Sequence, residues 1–193
     1  MGVGKETLTA PREGQKKEAA VSNGQDIMVR LARLEDAPAI AAIYNQGIEE
    51  RIATFETEFR TAEHIIAQLA EQGDKYPTVV VERAGTVVAW ASVGPYHARP
   101  CYAGIAQHSV YVERGARGTG AGRAALDGLC RVCAEGGFWK LLSRIFPENT
   151  ASLALHARVG FSVVGVYRRH GKLDGVWRDA VIVEKLLGEA AKG

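Results

Sequence analysis

The apolar positions of the chain follow two alternating periods, and each switch between them marks an element. Residues 28–32 (MVRLA) read as a first strand. Ile40, Ile43, Tyr44 and Ile48 then recur at helical spacing. Asp36 is placed to cap that helix, and Pro38 falls in its first turn, where a missing N–H costs nothing. Residues 51–59 (RIATFETEF) have no helical period and read as a loop. Thr61 caps a second helix with Ala62, Ile65, Ile66 and Leu69 inward. The run TVVVERAGTVVAWASV is two β-rich stretches around a short turn at Gly85, a hairpin. Two prolines in PYHARPCY (95–102) break regular structure. A buried strand follows, then a glycine-rich turn and a helix closed by Gly136 and Gly137.

WKLLSRIF (139–146) is a further strand, stopped by Pro147. Asn149 caps a helix running through Val159 to Gly160, and a last hairpin turns at Asp174 and Gly175. Hairpins alternating with helices predict a mixed, mostly antiparallel central sheet flanked by helices, an α/β (α+β) domain. Its expected limits are 28–188, between an N-terminal tail (1–27) and a short C-terminal tail (189–193).

Composition narrows the partners. Lys and Arg number 24 against 22 for Asp and Glu, a net charge of +2. That balance gives no reason to expect nucleic acid or an anionic membrane. No apolar run approaches the ~20 residues of a membrane-spanning helix. The N-terminal residues lack the apolar stretch of a secretory signal, and MGVGKE has Glu6 where a myristoylation signal has Ser or Thr. Three cysteines without such a signal point to a reducing, cytoplasmic setting. Cys130 and Cys133 form a C-x-x-C pair, yet with Leu126 and Leu129 they complete a helical apolar stripe. No second ligand pair follows, so the pair reads as core and no metal is expected.

Candidate chemistry concentrates in AQHSVYVERGARGTGAGRAAL (106–126). Glycines in the turn let backbone N–H groups converge, and the helix behind adds its positive end, which suits a phosphate. Arg114, Arg117 and Arg123 add charge. A P-loop is excluded, since no G-K-[ST] follows, and the G-x-G-x-G spacing argues against a dinucleotide fingerprint. On the turn alone, an ordinary glycine-rich connection remains open.

The order of motifs decides further. Strand, R-x-x-G-x-G, helix, strand and a capped helix ending in RVGF resemble the acetyl-CoA site of the GNAT acetyltransferases. The segments IYNQGIEERIATFE (43–56), GPYHARPCY (94–102), SVYV and the helix bearing Asn149, Ser152 and His156 resemble the branch that acetylates phosphinothricin. The run from FWKLLSRIFPEN to the last hairpin is similar to arsinothricin N-acetyltransferases. The resemblance implies a GNAT fold, acetyl-CoA as co-substrate, a small amino-acid acceptor and a homodimer. It implies that the backbone at Val110, Tyr111 and Val112 bonds the pantetheine arm. Arg117, Gly118, Thr119, Gly120, Ala121, Gly122 and Arg123 would hold the pyrophosphate, with Asn149 near the thiol. His97, Ala98 and Arg99 would line the acceptor pocket with Gln107, His108 and Ser109, Arg99 pairing with an oxyanion. Tyr44 and Phe55 read as core packing.

Related enzymes carry a glutamate base where this chain has Gln107, and an amide cannot take up that proton at neutral pH. His156, in the place of the family's helix histidine, is one substitute. His108 is another if a β-bulge turns it inward, and Tyr111 could supply a proton to the departing thiolate. For each, a structural role stays open. So do two rival functions: acetylation of protein amines, and acetyl-CoA binding with little catalysis.

Overall fold

The computed structural model describes residues 27–192; of the tail expected over 1–27, all but Ile27 lies outside them, and Ile27 already opens the first strand. The chain forms β1 (Ile27–Leu31), α1 (Ala37–Glu50), α2 (Ala62–Gln72), β2 (Thr78–Arg83), β3 (Thr86–Pro95) and β4 (Ile105–Val112). It continues through α3 (Ala121–Glu135), β5 (Lys140–Ile145), α4 (Thr150–Arg158), β6 (Ser162–Leu173) and β7 (Val176–Leu186). The seven strands make one sheet in the order β1-β2-β3-β4-β5-β7-β6. Every neighbouring pair is antiparallel except β4 with β5. That one parallel pair arises because α3 carries the chain back across the sheet, as a parallel connection requires.

The helices bury opposite faces of this sheet. On one face Leu126, Leu129 and Cys133 of α3 pack with Val79, Val81, Ala91 and Leu141. Each fully buried leucine there contributes roughly 1.5–3 kcal/mol of apolar transfer. Cys130 and Cys133 are free thiols within this layer, and burial pushes Cys133 up to about 12. On the other face Ile40, Ile43 and Ile65 of α1 and α2 pack on Val80 and Trp90. No described helix is long and apolar enough to cross a membrane.

Several local expectations shift. Asp36 does not cap α1 with its side chain. Its carboxylate accepts from the Arg33 backbone N–H and from both terminal nitrogens of Arg30, each at 2.7 Å. The charged fork of Arg30 outcompetes a helix N–H for the same oxygens. Ile66 is 39% exposed, because α2 turns only Ile65 fully inward. The expected C-terminal tail begins as a 3₁₀ turn at Gly188–Lys192. The caps at Thr61 and Asn149 form, accepting from the N–H groups of His64 and Ser152. Asp174 (φ 48°) and Gly175 (φ 79°) make the tight turn between β6 and β7.

Candidate active site

The parallel pair opens partway along its length. β4 and β5 are matched only from Ile105↔Lys140 to Gln107↔Leu142. Ser143 Oγ then donates to His108 O at 3.1 Å, after which no pairing between the two strands continues. The far edge of β4 stays paired with β3 as far as Val112↔Ala89. A gap therefore faces the backbone of the last β4 residues, and an extended ligand carrying amides can occupy it like a strand.

The gap leads to the glycine turn. Gly118 (φ 74°) and Gly120 (φ 91°) take backbone conformations that disfavour side chains, and α3 starts directly behind them. Thr119 Oγ1 braces the turn, donating to Ala116 O at 2.6 Å and accepting from Arg83 Nη2 at 3.0 Å. A Cβ on Gly122 would stand 3.1 Å from both Val112 and Leu155 side chains, so α3 lies tight against β4 and α4. Arg117 donates to Val112 O at 3.3 Å and pairs with Glu50 at 3.0 Å; Arg114 meets Glu49 and Glu50 at 2.9 and 3.0 Å. Burial would raise the Glu50 carboxyl, but bonds from Arg117 and then Arg114 hold it below its ordinary value. Arg123 pairs with Asp127 on the exposed flank of α3. An open strand edge ending at an N–H-rich turn is suited to an extended ligand that carries amides and ends in a phosphate.

On the α1–α2 face the same opening widens into a cavity of about 550 Å³. Gln107, Ser109 and Tyr111 of β4 supply one wall, and Ser143 and Arg144 of β5 continue it with Phe146 just beyond the strand. Tyr44, Phe55 and Glu56 close the α1 side. Phe55 stands edge-on to Phe146 at 4.7 Å and over Gly171, where a Cβ would lie 2.7 Å from its ring. Tyr111 stacks on Trp90 at 4.9 Å and meets Tyr44 edge-on at 4.7 Å. Burial pushes its phenol well above 10, so it keeps its proton. His170 also lines the cavity, delivered by an irregularity in β6, where Tyr167↔Ala180 is followed by Gly171↔Arg178. A larger hollow of about 660 Å³, near Tyr76 and Trp139, contains none of the residues expected to bind ligand.

Gln107 is held at both ends of its amide. Its Nε2 donates to Pro95 O at 3.4 Å, and its Oε1 accepts from Arg144 Nη2. His108 and His156 lie on the other face of the sheet. The His156 Nδ1–H donates to Ser152 O at 2.7 Å, which leaves its Nε2 to accept from His108 Nε2–H at 2.9 Å. Both rings pack on Phe161. Burial lowers both pKa values, and with the neighbouring His156 it brings His108 to about 3. Two neutral imidazoles result.

The structure brings Gln107, Ser109 and Tyr111 to one cavity wall, and His108 also lines it although its ring packs on His156 and Phe161. His156 does not join them: it is 1% exposed with both ring nitrogens engaged. No bulge turns the His108 ring inward, since the β3–β4 register runs unbroken from Ala89↔Val112 to Pro95↔Ala106. His97, Ala98 and Arg99 are exposed on the loop after β3 and are not among the residues lining this cavity. His97 packs instead on Tyr102 at 5.3 Å, and its Nδ1 accepts from the Arg99 backbone at 3.1 Å. The Asn149 amide is spent on Ser152 N and on Ile52 O, tying α4 to the loop after α1. Tyr44 and Phe55, read as core, form cavity wall. Sequence reasoning missed Arg144 and His170. A lone arginine inside the apolar strand KLLSRIF was a signal for the first; nothing in YRRHG marked the second. Among the described residues no cluster of three or more His, Cys, Asp or Glu could hold a metal ion.

Comparison with known proteins gives this arrangement a setting. A family model described as acetyltransferase (GNAT) domain matches residues 29–182. A phosphinothricin N-acetyltransferase of Alcaligenes faecalis is 36% identical over 167 residues, 82% of each chain. An L-methionine sulfoximine/L-methionine sulfone acetyltransferase of Pseudomonas paraeruginosa is 32% identical over 158 residues, 81% of this chain and 92% of the relative. The crystal structure of a GNAT superfamily phosphinothricin acetyltransferase from Sinorhizobium meliloti, in complex with AcCoA, superposes with a TM-score of 0.79. It is 28% identical, over 86% of this chain and 91% of that one.

Proposed function

The chain belongs to the GNAT acetyltransferase family, and from that premise we propose that it moves an acetyl group from acetyl-CoA to the α-amine of a small glutamate-analogue amino acid. Phosphinothricin, methionine sulfoximine and arsinothricin are the acceptors of this class, and acetylation of their amine is a resistance function. The observation that carries the reading is the cavity of about 550 Å³ continuous with the β4–β5 opening and lined by Arg144. Its size suits a small ligand, and a cation in the wall suits an acidic one. A protein amine would need an open groove, which the Phe55–Phe146 wall opposes.

In this reading residues 28–188 are the catalytic domain. The β4 backbone at Val110, Tyr111 and Val112 lies along the pantetheine arm, and the turn from Arg117 to Arg123 receives the pyrophosphate. Acetyl-CoA supplies the activated thioester; the chain supplies alignment and exclusion of water. Ser109 and Gln107 face the acceptor, and Tyr111 holds a proton beside them. With Gln107 fixed at both ends, His108 and His156 bonded to each other, Glu56 paired with Arg60 and His170 set beside Arg144, the amine sheds its proton to solvent in this reading. A peptide α-amine of pKa ~8 is only about a tenth neutral at pH 7, and the adjacent carboxylate of a free amino acid lowers that share further. The kcat/KM of the acceptor therefore rises with pH until the amine itself is deprotonated. The expected homodimer and cytoplasmic setting belong to the same proposal. The exposed Val163, Val166 and Trp177 lie on one face of the last hairpin and Tyr167 and Val176 on the other, apolar surface that a second copy would cover.

The test is a thiol-release assay with acetyl-CoA and a panel of amines. Turnover with the glutamate analogues and not with peptides is expected. Turnover with peptides alone, or tight CoA binding without turnover, would replace this reading by one of its rivals.

A further inference from the structure

The strand β5 carries two charged residues: Lys140, paired with Glu184, and Arg144, which stands at the cavity wall between the buried Leu141 and Ile145. Leu142 is the partner of Gln107 in the sheet, so Arg144, two residues on, presents the same face as Gln107. Its Nη2 donates to Gln107 Oε1, and its Nη1 lies 3.5 Å from His170 Nε2. Gln107 is itself anchored to Pro95 O. The guanidinium is thus held by the Gln107 amide and lies beside the His170 ring, with no carboxylate against it among the described residues. The cavity's other charged residue, Glu56, is already paired with Arg60.

Resting on the acetyl transfer proposed above, we infer that Arg144 is the receptor for an oxyanion of the acceptor, and that Gln107 is its holder and not a remnant of a proton acceptor. An amide fixes the guanidinium by one lone pair without cancelling its charge. A glutamate at 107 would pair with Arg144 and neutralise the charge that draws the ligand in. Of the five guanidinium N–H groups, two are committed to Gln107 and His170, which leaves three for a bidentate grip. The oxyanion is either the α-carboxylate or the acid at the end of the acceptor's side chain. The chemistry is shared, and the experiment separates the two sources.

Acceptor binding to the CoA-loaded protein is measured by calorimetry, alongside acetylation kinetics, for the parent, Arg144→Gln and Gln107→Glu. Three probes are used: phosphinothricin, its α-carboxamide, and methionine sulfone, whose side chain is neutral. Arg144→Gln should weaken phosphinothricin binding and kcat/KM about 10- to 100-fold, the usual range for a lost charge-assisted bond. The KM for acetyl-CoA should stay within about twofold, which also reports an intact fold. If the α-carboxylate is the ligand, the carboxamide binds parent and variant alike; if the side-chain acid is, methionine sulfone does. Gln107→Glu should also weaken phosphinothricin binding. Unchanged binding in Arg144→Gln, no binding to the parent, or a Gln107→Glu variant that binds and acetylates phosphinothricin better overturns the inference. Binding through Arg144 without acetylation sinks the functional reading alone; acetylation indifferent to Arg144→Gln sinks this inference alone.

Discussion

Along β4 the chain offers backbone to the gap beside β5, and within two residues it offers the side chains of Gln107, Ser109 and Tyr111 to a cavity. The proposed cofactor side is built from strand edge, glycine φ values and the start of α3. Its charged side chains are already paired: Arg114 and Arg117 with Glu49 and Glu50, Arg123 with Asp127. The proposed acceptor side is built from side chains of α1, α2, β3, β4, β5 and β6, drawn together by tertiary folding. A ligand held by backbone is insensitive to most substitutions and very sensitive to those that change backbone shape. A ligand held by side chains is the reverse, and that is where selectivity for one acceptor over another can vary while the fold stays fixed.

The largest contrast is expected at Gly120. Its φ of 91° strains any L residue, and a β-branched side chain would also stand where the phosphates approach. Gly120→Val should raise the acetyl-CoA KM by roughly 100-fold or more, since a lost anion cradle removes several charge-assisted bonds. Circular dichroism should show the domain still folded. An acetyl-CoA KM that stays put would remove the glycine turn from the cofactor site.

The histidine pair beneath the gap predicts a pH effect on stability. His108 and His156 are held neutral when folded, with pKa values below the ~6.5 of the unfolded chain. Below pH 6.5 the unfolded state binds more protons than the folded one. Stability from this pair is therefore complete above pH 6.5 and is lost as pH falls toward about 3, the folded value for His108. One proton corresponds to about 1.4 kcal/mol per pH unit, or roughly 3–5 °C in Tm for a domain of this size. Replacing both histidines by Phe and Leu should flatten the Tm profile between pH 6.5 and 4.5 relative to the parent. Parallel profiles would mean that the pair is not buried neutral.

Side chains around the glycine turn should matter little. Glu50→Gln breaks ion pairs to Arg114 and Arg117 whose arginines are exposed, and such pairs contribute on the order of 0–1 kcal/mol. The acetyl-CoA KM should move by less than about fivefold. The smallest effect is expected at Arg99, which lies off the cavity wall on an exposed loop. Arg99→Ala should leave the acceptor KM within about twofold, and a tenfold rise would show that this loop closes over the acceptor.

The same contrast explains what the sequence disclosed. Glycine turns, caps and alternating strands are local, so the turn at Gly118 and Gly120, the cap at Asn149 and the hairpin at Gly175 could be read one segment at a time. The opening of β4 from β5 and the meeting of Gln107, Arg144 and His170 depend on register between strands far apart in sequence. The loop at 95–102 was expected to bind the acceptor because it resembles a segment of the family, but which way it leaves β3 is a tertiary property. His156 shows the same limit: its helix was legible, while the partner that occupies its Nε2 lies 48 residues away.

The separation of the two halves is tested most directly by a two-substrate initial-rate matrix for the parent, Gly120→Val and Arg144→Gln, with acetyl-CoA and phosphinothricin varied together. The account predicts a crossed result: Gly120→Val raises the KM for acetyl-CoA and spares that for phosphinothricin, and Arg144→Gln does the opposite. If both variants raise the same KM, or each raises both equally, one site and not two faces of β4 governs binding, and the account is contradicted.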